Sequence, residues 1–365
     1  MTKLSSLLFR YLIKEFLSKF LVFFFILLGI VYLFDTIELI RRASGNDGIF
    51  ITDILALAFY KLPSIGHQLI PFITLFSAIA TFRNLSERQE LVTMRSAGLS
   101  VWQFIVPIVA VTFFLSLFYM AILHPLSTAS TARYESLNNF YFGDGAKTVT
   151  IIDDGLWLRQ EDETGNFILK ANDIDAQKWI MDDVSVFFFD SNDTHTQRID
   201  AESAQLKPKE WVFKDVTVHQ KNAASTIVPL LKLSTTLTTD SIAESFSNPE
   251  TISFWRMPYF IQSIEKTGLD TTEIRAYYQS LLSQPLLLIA MIFMAAVISL
   301  KTTRTSSLLP IVISTLAFGF IAFFMTGFLK ALSLGHEIPL VLGIWSAPMI
   351  ILLCAVTLLT RLEDG

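Results

Sequence analysis

Apolar residues run unbroken in this chain for longer than the core of a soluble domain requires. Phe20 to Phe34 (FLVFFFILLGIVYLF) carries no charge, and the apolar segment around it begins near Phe16. Five more follow, from about Ile54 to Phe82, Val101 to Leu123, Leu281 to Leu300, Leu308 to Leu329 and Ile338 to Thr360. A helix crossing a hydrocarbon core needs about 20 residues, so the pattern predicts six membrane spans, three on each side of a long polar interval. The second is the least uniform, interrupted by Lys61, Pro63, His67 and Pro71.

Within the interval the period drops to two. Thr148 to Ile152, Leu156 to Arg159, Phe167 to Lys170, Val184 to Phe189 and Trp211 to Val218 alternate between Asp, Asn and Gly clusters, after a turn at Gly143, Asp144 and Gly145. Short strands so separated predict an antiparallel sheet folded as a sandwich or jelly roll. From Pro258 to Ser280 the helical period returns, with Phe260, Ile264, Ile274 and Tyr278 beside charges, as in a segment lying at a membrane interface. The expected fold is an α-helical membrane protein with six transmembrane helices, 3 + 3, and an inserted periplasmic all-β jelly-roll-like domain. Its divisions are residues 1–123, 124–255 for the β-domain, 256–280 for the amphipathic connector and 281–365.

Short loops set the orientation, because Lys and Arg stay on the cytoplasmic side. With the N-terminus inside, Lys3, Arg10, Lys14, Lys19, Arg83, Arg88, Arg95, Lys301, Arg304 and Arg361 are cytoplasmic. Only Arg41, Arg42 and Lys330 fall in short external loops, which puts both termini in the cytoplasm and the β-domain outside. The first span is too long for a signal-peptide apolar region and lacks a small-residue cleavage pattern, so it reads as a retained anchor.

Composition changes this picture little. Hydrophobic residues make up 52% and charged residues 17% of the 365, against roughly 25% charged in ordinary soluble domains. That excludes disordered, fibrous and nucleic-acid-binding classes. The net charge of −5 hides a division: Phe140 to Trp255 holds 19 acidic and 10 basic residues, and the remainder 14 acidic and 18 basic. The lone Cys354 permits neither an intrachain disulfide nor a Cys-based metal site.

Enzyme chemistry finds little footing. His67, His124, His195, His219 and His336 are scattered without metal-ligand spacing, and no cofactor is expected. Gly143 to Thr148 has Ala146 where a phosphate loop requires Gly before its Lys147. A hydrolase using Ser64 and His67 has no acid nearby. More informative is Arg83 to Leu99 (RNLSERQELVTMRSAGL), where Ser86 offers a cap, Leu91 and Met94 share one face and Gly98 offers a stop. A short helix at about 84–98, showing Glu87, Glu90 and Arg95 to the cytoplasm, is either a solvated connector or a coupling helix docked in a groove of a cytoplasmic motor. Arg41 and Arg42 either anchor a helix end or bind phosphate on an amphipathic lipid, with Arg133 adding to the patch. Lys61 and His67 are ionisable groups inside a span, and Lys61 lies near enough to the external end to reach an anionic substrate. The 32 Phe residues, Phe320 and Phe324 of the fifth span among them, give any cavity a large apolar surface.

Local patterns along the whole chain resemble the LptF/LptG family of lipopolysaccharide-export permeases. They are Arg10-Tyr11-Leu12 with Lys14, Glu90-Leu91-Val92 leading to Met94-Arg95-Ser96-Ala97-Gly98, Gly155-Leu156-Trp157, Gly268 and Asp270 ahead of Gln284-Pro285, Phe318-Gly319-Phe320, and Pro339, Trp345 and Pro348. The Glu-Leu-Val and Gly-Leu-Trp patterns are closer to the LptG side. The resemblance implies a transport subunit that pairs with an LptF-like permease, is driven by an LptB-like ATPase dimer that binds the ATP, and passes lipopolysaccharide to an LptC-like bitopic protein. Lipopolysaccharide would enter between spans one and five. Glu90, with Leu91, Met94 and Arg95, would engage the ATPase, and Arg41, Arg42, Arg133 and Lys61 would meet lipid phosphates beside Phe320 and Phe324. One departure is Asp35, where some relatives carry a basic residue. A mechanotransmission permease of the MacB or FtsX kind is the alternative, and it requires only four spans.

Overall fold

The computed structural model describes residues 6–44, 49–142, 148–152, 155–162, 165–175, 180–189, 195–207, 210–220, 225–235, 248–266, 270–302 and 309–364. The turn at Gly143, Asp144 and Gly145, with Lys147, Gly268, Lys3 and Arg304, lies outside them. Two compact units form, one of residues 1–131, 253–255 and 275–365, the other of residues 132–252 and 256–274.

The described helices are α1 (Ser6–Ala43), α2 (Ile51–Glu87), α3 (Glu90–Ser96), α4 (Val101–Phe118), α5 (His124–Phe142), α6 (Met257–Lys266), α7 (Thr272–Thr302), α8 (Leu309–Leu334) and α9 (Leu340–Asp364). Among the described residues, six helical stretches are long and apolar enough to cross a membrane: α1, α2, α4 running on into α5, α7, α8 and α9. The chain is a multi-pass membrane protein with six such helices, where the mechanotransmission alternative needs four. At 1.5 Å per residue the 38 residues of α1 extend about 57 Å, well past a hydrocarbon core of about 30 Å. Pro63 and Pro71 interrupt the sequence pattern of α2 but leave the helix continuous.

The third span differs from its expected form. A π turn, Tyr119–Leu123, joins α4 to α5, and the helix continues to Phe142 through residues expected to belong to the β-domain. The amide of His124 bonds back to the Tyr119 carbonyl, five residues earlier. Pro125 has no N–H for the carbonyl of Ala121, four residues before it. The Trp255 indole donates to that carbonyl instead, at 3.0 Å. Ser127, Thr128 and Thr131 are buried although polar, which is why hydropathy alone ends the helix too early.

One apolar core holds the first unit together. Leu12 and Phe16 of α1, Leu75 and Phe82 of α2, Phe104 and Ile108 of α4, Ala290 and Ala295 of α7, and Ile351 and Ala355 of α9 form a single buried cluster. Small residues on α7 let the neighbouring backbones approach. Thr74, Ser77 and Thr81 turn their hydroxyls onto the carbonyls of Ile70, Ile73 and Ser77 of their own helix.

In the second unit, strands β1 (Thr148–Ile152), β2 (Gly155–Asp162), β3 (Gly165–Asp175), β4 (Ile180–Phe189), β5 (His195–Lys207), β6 (Glu210–Gln220) and β7 (Thr226–Ser234) make one antiparallel sheet in chain order. The strands of the inserted domain thus form the antiparallel sheet that was expected, but the domain also holds helix, the end of α5 and α6, and among the described strands the path is a meander without the crossover of a strict jelly roll. Apolar ladders cross it: Leu158 faces Leu169, Leu169 faces Val186 and Val186 faces Ile199. Among the described residues, the buried cluster on this face consists of strand residues. Alternation slips by one at Asp183 and Asp215, both at φ 52°. The buried side then resumes at Val184 and Val216.

Candidate functional site

At one end of the helical unit α3 lies against the bundle. Its C-terminus is closed by Gly98 at φ +83°, with Gly98 N–H donating to the Arg95 carbonyl at 2.9 Å and Leu99 N–H to that of Met94 at 3.1 Å. Only a residue without Cβ takes that left-handed conformation freely, so Gly98 is the stop that its sequence position indicates. The start differs. α2 continues through Ser86, and α3 begins after Gln89 at φ 56° rather than at a Ser86 cap.

Leu91 and Met94 are buried in the bundle core, which fastens the inner face of α3. Glu90 is half-buried and also faces inward: the Tyr11 hydroxyl of α1 lies 2.8 Å from its Oε2 and 3.1 Å from its Oε1. The outer face carries exposed Val92, Thr93 and Arg95. Glu363 of α9 reaches the same end, where its Oε1 accepts from the Val101 amide at 3.2 Å. Tyr11 and Glu363 complete this surface, and no spacing rule in the sequence pairs either with its partner.

The opposite end of the helical unit holds the other charges. Glu38 accepts from Arg41 Nε at 2.9 Å and Nη2 at 2.8 Å, and from Arg42 Nε at 3.2 Å. Two guanidinium groups thus share one carboxylate and keep a surplus positive charge. Their spacing of three and four residues makes the contact legible in the sequence. Lys61 forms an ion pair with Asp35, whose other oxygen is buried and unbonded. The departure at Asp35 is therefore the counter-charge of Lys61. Lys61→Met should cost about 1–3 kcal/mol by leaving that carboxylate without its cation. Thermal melting in detergent should show most of the loss recovered in the double variant Lys61→Met with Asp35→Asn. Arg133 is exposed on α5, within the second unit.

Phe320 and Phe324 are 67% and 63% exposed on α8, stacked with each other and with Phe328 at centroid distances of 6.3 and 6.4 Å. They form an outward apolar stripe with Leu309, Ile313 and Leu316. His67 points inward. Its Nδ1 lies 3.3 Å from the Gln284 amide nitrogen and its ring stacks on Tyr119 at 5.0 Å. An amide stands where a hydrolytic base would need an orienting carboxylate.

The comparisons match this architecture. The chain is 21% identical to the lipopolysaccharide export system permease protein LptG of Haemophilus influenzae over 361 residues, covering 97% of this chain and 98% of that one. It is 22% identical to LptG of Escherichia coli K12 over 348 residues, 92% of each. The family description "Lipopolysaccharide export system permease LptF/LptG" matches residues 10–361, nearly the whole chain. With six apolar helices, an inserted antiparallel sheet and a match of that extent, the chain belongs to the LptF/LptG family of lipopolysaccharide export permeases.

Proposed function

We propose that this chain is the LptG-like half of an inner-membrane transporter that extracts lipopolysaccharide. In this reading it pairs with an LptF-like permease, takes its driving force from a cytoplasmic LptB-like ATPase dimer at α3, and delivers the lipid to an LptC-like protein. The excess of Lys and Arg on the short loops at the α3 end supports a cytoplasmic location for that end. A multi-acyl lipid does not leave a bilayer unaided, since each CH₂ exposed to water costs about 0.8 kcal/mol. External work has to enter through a rigid contact.

The observation that carries the reading is the build of α3. Its inner face is fixed by Leu91, Met94 and the Glu90 to Tyr11 hydrogen bonds, while Val92, Thr93 and Arg95 stay exposed. A short helix so held moves only with the bundle. Purification in mild detergent should bring down a nucleotide-hydrolysing subunit, a second permease and bound lipopolysaccharide. A particle with neither motor nor glycolipid overturns the proposal.

At the other end, Arg41 and Arg42 are assigned to anionic groups of the lipid, using the positive charge that Glu38 leaves unmatched. The double variant Arg41→Glu with Arg42→Glu should weaken lipopolysaccharide crosslinking to α1 by roughly 30-fold or more, since two cations lost at about 1 kcal/mol each near an anionic surface make about 2 kcal/mol. Equal crosslinking returns the pair to helix anchoring.

A further inference from the structure

Midway along the helical unit lies a cavity of about 410 Å³ that the transport reading does not use. Its wall follows α1 from Phe20 to Leu28 and α2 from Leu62 to Thr74, and is closed by α4, the π turn, the first turn of α5 and by Gln284 and Leu288 of α7. At 1.5 Å per residue those α1 and α2 stretches make it about 12–18 Å long, parallel to the helices. The volume falls within the range of small-molecule sites, about 300–1,000 Å³.

The lining is apolar even where the sequence is not. Thr74 and Ser116 line the cavity but turn their hydroxyls onto the carbonyls of Ile70 and Phe113, each at 2.8 Å. The Gln284 amide lies against His67. Water needs two to four polar partners to stay in such a space; Thr74, Ser116 and Gln284 are engaged elsewhere, and the buried, unbonded Thr112 Oγ1 supplies one partner, short of that number.

The mouth identifies what can enter. Leu21, Phe118, Leu123 and Leu126 line the cavity and are also 52%, 48%, 40% and 67% exposed, so the opening lies between α1 and the α4 to α5 junction. These residues belong to helices that cross the membrane, so what faces the mouth is hydrocarbon. The inner wall is shielded: Gly66, Ser116 and Leu288 are buried.

We infer that this cavity is a lateral binding site for a single acyl chain of a bilayer phospholipid, entering between α1 and the π turn. The site is independent of whether lipopolysaccharide is the cargo.

The test uses the full chain in phospholipid nanodiscs containing a trace of phosphatidylcholine with a diazirine at mid-chain, followed by peptide mapping of the photoadducts. Adducts are expected at Gly66, Ser116 and Leu288, which bulk lipid cannot reach, besides those on the outward stripe of Phe320 and Phe324. Ser116→Phe, which fills the space from α4, should abolish the shielded adducts and leave the stripe adducts unchanged. If that variant does not accumulate, Gly66→Leu probes the same space from α2, where a Cβ meets only the Leu28 side chain at 3.4 Å. Adducts confined to the stripe in the unaltered chain overturn the proposal, as do shielded adducts that persist in a folded filled variant. Loss of the shielded adducts when lipopolysaccharide is added to the disc would assign the space to that lipid and overturn the phospholipid assignment.

Discussion

On the proposed reading of α3 as the docking helix, Glu90→Lys should separate an ATPase subunit from this chain while leaving the protein inserted in the membrane. In the unaltered chain both carboxylate oxygens are held by the Tyr11 hydroxyl, and neither Leu91 nor Met94 can move without opening the bundle core. A fixed carboxylate beside the exposed face of α3 suits a cation on the docking subunit. Were that cation to pair with Glu90 across the interface, reversing the charge would cost about 2–5 kcal/mol, a weakening of roughly 30-fold or more. The measurement is co-purification of the ATPase together with lipid release per ATP hydrolysed. Tyr11→Phe separates two explanations. It keeps the charge and frees the side chain, so a positioning role predicts a partial loss of lipid release with the ATPase still bound. Transport unchanged in Glu90→Lys would show that the carboxylate serves only to fasten α3.

The second large effect is expected at Gly343, where α9 crosses α8. A Cβ there would sit 2.8 Å from the Leu329 carbonyl and 3.0 Å from Ile338 Cδ1, and would overlap the Ser333 hydroxyl. A backbone carbonyl cannot rotate away as a side-chain end can, so Gly343→Ala has to push the helices apart. Forcing atoms into a packed contact costs about 1–3 kcal/mol, read as a lower melting temperature in detergent and lower abundance in the membrane. Gly327→Ala is the matched control, since a Cβ there has nothing within 4 Å. It should melt at or slightly above the original temperature, because Ala favours helix by up to about 1 kcal/mol over Gly. Equal effects at the two positions would sink the close-crossing argument.

The spans were legible because no soluble core needs so many consecutive apolar residues, and the sheet because five of its strands alternate plainly. The other two strands show what the alternation misses. β5 keeps its inner positions with Ile199, Ala201, Ala204 and Leu206. Two of those four are Ala, a weak strand former, and the hydrogen-bonded neighbours β4 and β6 supply what propensity does not. β7 contains Pro229, which demotes a strand when read alone but is tolerated at a sheet edge. The start of α3 escaped for a different reason: Ser86 is an ordinary cap residue, yet its carbonyl already accepts from Gln89 N–H at the end of α2.

Among the site residues, short-range pairs could be read and long-range pairs could not. Glu38 with Arg41 and Arg42 follows helical spacing. Asp35 and Lys61 were separately visible, and their partnership needed one further step, since Asp35 lies 8 residues before the end of α1 and Lys61 10 residues after the start of α2. Two antiparallel helices bring such positions level. Phe320 and Phe324 were assigned to the lipid and to the lining of a cavity, without a direction for either ring. Which way a Phe points on a helix apolar on nearly every face depends on neighbours that hydropathy does not encode.

The π turn clips two distant stretches of the chain together inside the helical unit. The Ala121 carbonyl and the His124 ring receive hydrogen bonds from Trp255 and Phe254, although His124 and Phe254 are 130 positions apart. The chain nevertheless passes between the two units four times, after residues 131, 252, 255 and 274. Excising residues 132–252 alone would therefore leave α6, a remnant of the second unit, hanging from the scaffold.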